Sequence, residues 1–138
     1  MPTNVDVAWP LQLAVRAKLM ADAELMADIS GVFDHVPEDT SFPYVTIGAF
    51  TVTPQGAHDR FGARSTITLH GWSTHHGTRE TLVIADHLMR LLDHQTLAID
   101  GHHTVAVRHE QTVTMRDPDA DLRHVACRFS VETEYVAA

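Results

Sequence analysis

The sequence predicts an α+β fold in which an antiparallel, possibly mixed, β-sheet packs against two main α-helices. Apolar residues recur at three- and four-residue spacing in two separate segments, and the segments between and after them alternate as strands do. The resulting order is helix, strands, helix, strands, without the repeated strand-helix units of a parallel nucleotide-binding sheet. The 138 residues, 44% hydrophobic and 20% charged, suffice for one core but not two, which predicts a single domain over residues 1–138.

The first predicted element is an amphipathic helix over residues 11–26. Pro10 fits its first turn, where the missing N–H costs nothing. Ser30 and Gly31 mark a turn beyond it, and we expect a break after Asp28. The apolar positions that follow the helical repeat are Leu11, Ala14, Val15, Leu19, Leu25 and Met26.

A short strand and a longer one come next. Residues 32–35 can form the short strand, before a polar turn at residues 37–41. Residues 44–52 then alternate, with apolar groups on both faces, which is typical of a covered strand. The alternation assigns Val45, Ile47 and Ala49 to one face and Tyr44, Thr46, Phe50 and Val52 to the other.

An extended loop leads to the antiparallel return strand. Residues 53–63 have turn-forming residues at both ends and no sustained periodicity, which predicts the loop. Residues 64–72 alternate again, with Ile67 and Leu69 on one face. The other face carries Thr66, Thr68, His70 and Trp72.

The second helix has the clearest periodicity in the chain. It follows residues 73–78, where Ser73, Thr74 or Thr78 offers a hydroxyl cap. Its apolar positions, which recur at three- and four-residue spacing, are Leu82, Ala85, Leu88, Met89 and Leu92.

A hairpin is predicted after this helix. Residues 97–99 and 104–107 flank Asp100 and Gly101, a pair that tolerates the positive φ angles of tight turns. The second arm runs towards Met115.

The last predicted strand covers residues 122–135 and follows a polar turn at residues 116–121. One face carries Val125, Cys127, Phe129 and Val131, and the other carries His124, Arg128, Ser130 and Glu132. The apolar face is expected to join the core.

Charge and composition restrict the function. Eighteen acidic residues against ten basic ones give a net charge of −8, which disfavours a protein that grips nucleic-acid phosphates. No apolar run approaches the roughly 20 residues that span a bilayer. The start lacks the features of a signal peptide and the single Cys127 cannot form an internal disulfide, so synthesis in a reducing cytoplasm is expected.

The eleven histidines invite a metal hypothesis. His70, His109 and His124 lie on predicted strands and can converge only if the register allows it. Adjacent histidines on a strand point to opposite faces, and no helical H-x-x-x-H pair or Cys/His cluster is present. Solvent-exposed or interface histidines are the preferred interpretation, and we expect no metal and no cofactor.

No arrangement of residues predicts an enzyme. Cys127 lies on the core-facing side of its strand, where a buried thiol is favoured over a reactive thiolate. No G-x-S-x-G motif or glycine-rich phosphate loop is present, and Glu132 and Glu134 fit a solvated strand edge. A small sheet does leave strand edges that must be covered or paired, which indicates an assembly role.

The linear order of several motifs resembles a known family, the tail-completion or tail-terminator proteins of long-tailed phages and of phage-derived gene transfer agents. The motifs are Leu11-Gln12, the segments 31–37 (GVFDHVP) and 42–48 (FPYVTIG), Leu69-His70-Gly71-Trp72-Ser73, and the segment 124–134 (HVACRFSVETE). The resemblance spans nearly the whole chain. Each motif describes turns and core positions rather than chemistry, so the combined order carries the resemblance.

The resemblance implies a structural virion protein rather than an enzyme. Such proteins form a ring, usually of six copies, that caps the head-proximal end of the tail tube, stops its polymerisation and meets the head-tail connector. The implied partners are further copies of the chain, the tube protein and the connector protein, with DNA passing through the ring without specific binding. The implied location is the virion tail. No catalytic residue is carried over.

Two loops are predicted contacts with neighbouring subunits or the tube. The first is the loop at residues 53–63, with Gln55, His58, Asp59 and Arg60 as its candidate contacts. The second is the acidic turn with Asp117, Asp119 and Asp121. A solvated hairpin tip and an ordinary acidic turn are the respective alternatives.

Other functions stay open at the level of sequence. A ring of acidic subunits would repel the DNA backbone and favour sliding over sticking. A head-tail connector or tube component shares the same assembly logic in a different position. A small histidine-rich metal protein or enzyme is the remaining class.

Overall fold

The computed structural model describes residues 6–56, 61–118 and 121–136. Over this part of the chain the order helix, strands, helix, strands is confirmed. The elements are α1 (Ala8–Met20), α2 (Ala23–Asp28), β1 (Val32–Phe33), β2 (Tyr44–Pro54), β3 (Gly62–Ser73), α3 (Arg79–Leu92), β4 (His102–Asp117) and β5 (Leu122–Tyr135).

The predicted helix over residues 11–26 is two helices, so its continuity is wrong. α1 ends at Met20, and Asp22, in an extended conformation, caps the N-terminus of α2. Its carboxylate accepts a hydrogen bond from the Leu25 N–H at 2.9 Å, which satisfies a donor that a continuous helix would have used. The break after Asp28 is confirmed, and Pro10 lies in the first turn of α1 as predicted.

The sheet has the strand order β1-β2-β3-β5-β4. Among the described strands only β1 and β2 pair in parallel and the other neighbours are antiparallel, which confirms an antiparallel sheet with one mixed edge. The predicted loop at residues 53–63 is shorter, because pairing of β2 with β3 extends to Pro54 and Ala63. The Gln55 N–H then donates to the Gly62 carbonyl at 2.9 Å.

A β-bulge in β2 overturns part of the predicted face assignment. Ile47 pairs with Leu69 and Phe50 pairs with Ile67, so two residues of β2 face one of β3. The extra residue moves Phe50 to the core side, where it packs on the core, and leaves Ala49 exposed. Simple alternation had placed these two residues the other way round.

The turn predicted at Asp100 and Gly101 and the long arm after it are confirmed, but the first arm of the predicted hairpin, residues 97–99, is wrong. Residues 97–99 form no strand, and a single bridge joins Ile99 to His102 around Gly101, whose φ is 77°. Leu97 and Ile99 are buried instead as core side chains. β4 pairs with β5 along its length, and the polar turn between them is shorter than the predicted residues 116–121.

Helices α1 and α3 pack on one face of the sheet, and α2 packs against these two helices. Contacts join α1 to β1 and β2, and α3 to β3, β4 and β5. At Gly71 of β3 the helix layer lies close to the sheet, since a Cβ there would lie 3.0 Å from Ile84 Cγ2 of α3 and 2.9 Å from Val125 Cγ1 of β5. The predicted apolar faces of β3 and β5 are buried here, as are Leu11, Ala14, Val15, Leu19 and Leu25.

The predicted apolar face of α3 needs one correction. Leu82 is exposed, at 46% of its accessible surface, and Ile84 and Leu91 take places in the core that the prediction omitted. Ala85, Leu88 and Leu92 are buried as predicted. Among the described residues no helix combines the length and the apolar character needed to cross a membrane.

Candidate interaction surfaces

The first predicted contact loop is described only in part. Gln55 is exposed and follows the end of β2. His58, Asp59 and Arg60 lie outside the described residues. The adjoining Phe61 is 71% exposed.

The second predicted contact turn is held by the loop that precedes α3. Asp117 is the last residue of β4, and Asp119 lies outside the described residues. Asp121 has a positive φ of 51°, and its carboxylate lies 3.6 Å from His76 Nδ1. Arg123 donates a hydrogen bond to the His76 carbonyl, which ties the start of β5 to the same loop.

The two contact regions lie at opposite ends of the sheet. Gln55 is beside Gly62, the first residue of the 12-residue strand β3, while Asp121 precedes Arg123, which pairs with Ser73, the last residue of β3. At about 3.3 Å per residue the two ends are roughly 36 Å apart. The structure therefore does not bring the predicted contact residues together into one surface.

The sheet face opposite the helices, here called the outer face, carries a continuous row of large side chains. Tyr44 pairs with Trp72, Trp72 with His124, and His124 with Met115, so the row crosses four strands. The rings of Trp72 and His124 stack with centroids 3.9 Å apart and planes 5° apart. We call Tyr44, Trp72, His124 and Met115 the aromatic row.

The polar side-chain atoms in and beside the aromatic row form hydrogen bonds with one another. The Trp72 Nε1–H donates to Thr46 Oγ1 at 2.9 Å. His70 Nδ1 and His124 Nε2 lie 2.5 Å apart, so one ring donates to the other. Burial lowers the pKa of His70, and burial together with the nearby His70 lowers the pKa of His124, because a charged imidazole loses hydration there. The row is therefore an uncharged surface at neutral pH.

The rest of the outer face carries charges. Glu110 lies between two arginines, with Oε2 3.3 Å from Arg64 Nη2 and Oε1 3.2 Å from Arg128 Nε. The register of β4 against β5 shifts between His109 and Gln111, and this bulge aims Glu110 across the neighbouring strands. The outer face thus carries the uncharged aromatic row in one region and the ion pairs of Glu110 in another.

The three strand histidines do not form a metal site. His70 and His124 converge, but His109 packs on Phe129 and bonds to Thr112 instead. Over residues 6–56, 61–118 and 121–136, no three His, Cys, Asp or Glu side chains cluster as metal ligands would. The alternation of side chains placed both His70 and His124 on the side away from the core. The stacking of His124 on Trp72 depends on the register of the strands, which the sequence does not encode.

Cys127 is a buried core residue, as predicted. Burial raises the pKa of its thiol, and the Thr112 hydroxyl donates to Sγ at 3.8 Å. A thiol in this environment is protonated at neutral pH, so it lacks the thiolate that a nucleophile needs.

A cavity of about 560 Å³ opens at the end of the sheet next to the first contact loop. Its walls include Val7, Val52, Phe61 and Tyr135. Thr133 also lines it, and its buried hydroxyl has no hydrogen-bond partner among the residues that the structure describes. A cavity of this size and character accommodates an apolar side chain or a small apolar molecule.

Comparisons with known proteins agree with each other. The family model described as Tail completion protein gp17 matches residues 13–134. Among solved structures, a chain from the structure titled "Virion of native gene transfer agent (GTA) particle" is similar, with a TM-score of 0.86 and 25% sequence identity. The match covers 95% of this chain and 99% of that chain. No curated protein matches the sequence.

Proposed function

This chain belongs to the Tail completion protein gp17 family, and from that membership we propose that it forms a ring that caps the head-proximal end of the tail tube. The ring, of six copies, ends polymerisation of the tube and joins the tail to the head-tail connector. The family and the virion match make the chain a structural protein of a virion tail, as the sequence motifs predicted. The cap and the connector contact are the parts that we propose.

The observation that carries the proposal is the match to a chain in an assembled particle. The family match places the chain among tail completion proteins, and the structural match covers 99% of a chain of a gene transfer agent virion. Nearly the whole of that relative therefore has the fold described above. The relative's contacts in its particle are thus made by surfaces of this fold. A surface divided into uncharged and ion-paired regions, as on the outer face, suits a subunit with several neighbours.

The charge of the chain fits passage of DNA. Each copy carries a net charge of −8, so a ring of six repels the phosphate backbone wherever acidic side chains line the channel. We propose that DNA passes through the ring without specific binding. A structure of the assembled ring with a channel lined mainly by arginine would contradict this part of the proposal.

The mass of the assemblies that the purified chain forms, alone in solution and on the ends of tubes, distinguishes a cap from a tube subunit or a connector. A cap forms closed rings and adds only to the end of a tube, because its head-to-tail contacts close. A tube subunit polymerises into filaments of increasing mass, and a connector binds the head in the absence of tails. Open filaments formed by the purified chain would therefore favour the tube role over the cap.

The same measurement tests the contact loops, which we propose as subunit or tube contacts. Deletion of residues 54–62 is expected to impair ring formation or alter tail length. Alanine in place of Gln55, His58, Asp59 and Arg60 keeps the chain length and serves as the milder variant. Alanine at Asp117, Asp119 and Asp121 tests the second turn. Unchanged rings and unchanged tails in all three variants would remove both loops from the interface.

A further inference from the structure

Two imidazole rings on the outer face direct their nitrogens at each other. His70 of β3 and His124 of β5, which we call the histidine pair, have Nδ1 and Nε2 respectively 2.5 Å apart. Two imidazole nitrogens that bind one Zn²⁺ at tetrahedral angles lie about 3.3 Å apart, given Zn–N bonds of roughly 2.0–2.1 Å. The two nitrogens therefore need to separate by less than about 1 Å to hold a metal ion between them.

Both rings are held in these orientations by their neighbours. The ring of His70 lies against Gly48 of β2, where an added Cβ would be 2.6 Å from His70 Cδ2. The ring of His124 stacks on Trp72 with centroids 3.9 Å apart and planes 5° apart. Ligands that are already oriented lose little side-chain entropy when they bind an ion, so this arrangement favours binding.

The charge state of the pair also suits a cation. Burial lowers the pKa of both imidazoles, so both rings are neutral at pH 7. In the free chain one ring donates its proton to the other, and a shift of that proton to the donor's second nitrogen leaves two neutral rings with facing lone pairs. The cross-strand neighbours Thr46, Ala126 and Met115 carry no positive charge that would repel the ion.

We propose that the histidine pair binds one divalent ion of the zinc, copper and nickel class. Imidazole suits these ions, whereas Mg²⁺ and Ca²⁺ prefer oxygen ligands. The pair supplies two ligands, and water supplies the others on a sheet face that lies opposite the helices. No third His, Cys, Asp or Glu joins the pair in the described part of the chain, so the site is open and weaker than a structural zinc site. The proposal does not depend on the proposed cap.

The fluorescence of Trp72 reports binding at this site, because its ring stacks on His124. The other tryptophan is Trp9 on α1, so the titration uses the Trp9→Phe variant, in which Trp72 is the one remaining tryptophan. Cu²⁺ quenches tryptophan emission at short range and is the probe. We expect one equivalent of Cu²⁺ per chain to quench Trp72, and Mg²⁺ to have no effect.

Removal of either ligand tests the assignment. His70→Gln and His124→Gln are each expected to raise the Cu²⁺ concentration for half-quenching at least about tenfold, because the second imidazole binds intramolecularly. His103→Gln is the matched control. His103 is exposed on β4 and pairs with Glu134, at the far end of β5 from His124, so its loss is expected to leave quenching unchanged.

Two further measurements do not depend on fluorescence. The electron paramagnetic resonance spectrum of the Cu²⁺-bound chain is expected to show coupling to two imidazole nitrogens. Zn²⁺ is expected to raise the melting temperature of the wild type more than that of His70→Gln, since it binds the folded pair. Circular dichroism spectra check that each variant retains the fold.

Several results would overturn the site. They are absence of quenching in the Trp9→Phe chain, half-quenching at the same Cu²⁺ concentration after His70→Gln, an equal loss after His103→Gln, and a spectrum with coupling to one nitrogen. None of these results bears on the cap, because tail length and head attachment test the cap separately.

Discussion

The histidine pair shows how single residues acquire their properties only through pairing of strands. His70 and His124 are 54 positions apart, and alternation predicts only that each faces away from the core. The register of β3 against β5 then places His124 opposite Trp72 and within hydrogen-bond distance of His70. Two of the histidines whose number suggested metal binding are thus part of an uncharged surface.

This pair makes the stability of the protein depend on pH. The folded pKa values of His70 and His124 lie below the ordinary 6.5, and their cross-strand neighbours Thr46, Ala126 and Met115 carry no compensating charge. Below about pH 6.5 the unfolded chain therefore binds protons that the folded chain does not, so the free energy of unfolding falls as the pH falls.

Thermal unfolding at pH values from 7.5 to 5 measures this effect. The melting temperature of the wild type is expected to fall on the acidic side of this range. The double variant His70→Gln with His124→Gln is expected to show a smaller fall, because it removes both groups. An identical slope in the double variant would contradict the assigned role of the pair.

At the scale of elements, periodicity predicted helices and strands well and their interruptions poorly. The faces of β3 and β5 follow from strict alternation, because both strands are central in the sheet and the side chains on their core-facing sides are apolar. The bulge in β2 adds a residue that no period reveals, and it exchanges the sides of Ala49 and Phe50. The break between α1 and α2 did leave a signal, since Asp22 precedes Glu24 in the pattern of a helix N-terminus.

Packing of α3 on the sheet depends on a missing side chain. An added Cβ at Gly71 would approach Val125 and Ile84 within 3.0 Å, and both residues are in the buried core. Gly71→Ala is expected to lower the free energy of unfolding by about 1–3 kcal/mol, as overpacking of a core does. Chemical denaturation measures the change.

Gly77→Ala is the matched control for this prediction. A Cβ at Gly77 would lie 3.7 Å from the nearest atoms of His75, which is ordinary van der Waals contact. Its effect on stability is expected to be small. Equal effects of the two substitutions would show that close approach of α3 to β3 does not limit the stability of the domain.

At the scale of the whole molecule, fold and family were accessible from the sequence, while the surfaces were not. The order of turns and core segments identifies the family because these features determine the chain path. The aromatic row draws on four strands and exists only after they pair. The exposed side chains of Trp9, Leu13 and Met20 on α1 were not predicted, because the helical repeat was used only to find the core-facing side.

The whole molecule thus combines a two-layer fold with an uncovered apolar surface on each layer. The helix layer exposes Trp9, Leu13 and Met20, and the sheet layer carries the aromatic row. Two-layer domains need only one core, so these outward side chains are not required for folding.

Electron microscopy of particles assembled without this chain tests the cap most directly. If the chain ends polymerisation and joins tail to head, its loss gives over-long tails or tails without heads, and supply of the wild-type chain restores tails of uniform length attached to heads. Tails of normal length joined to heads in the absence of the chain would contradict the account.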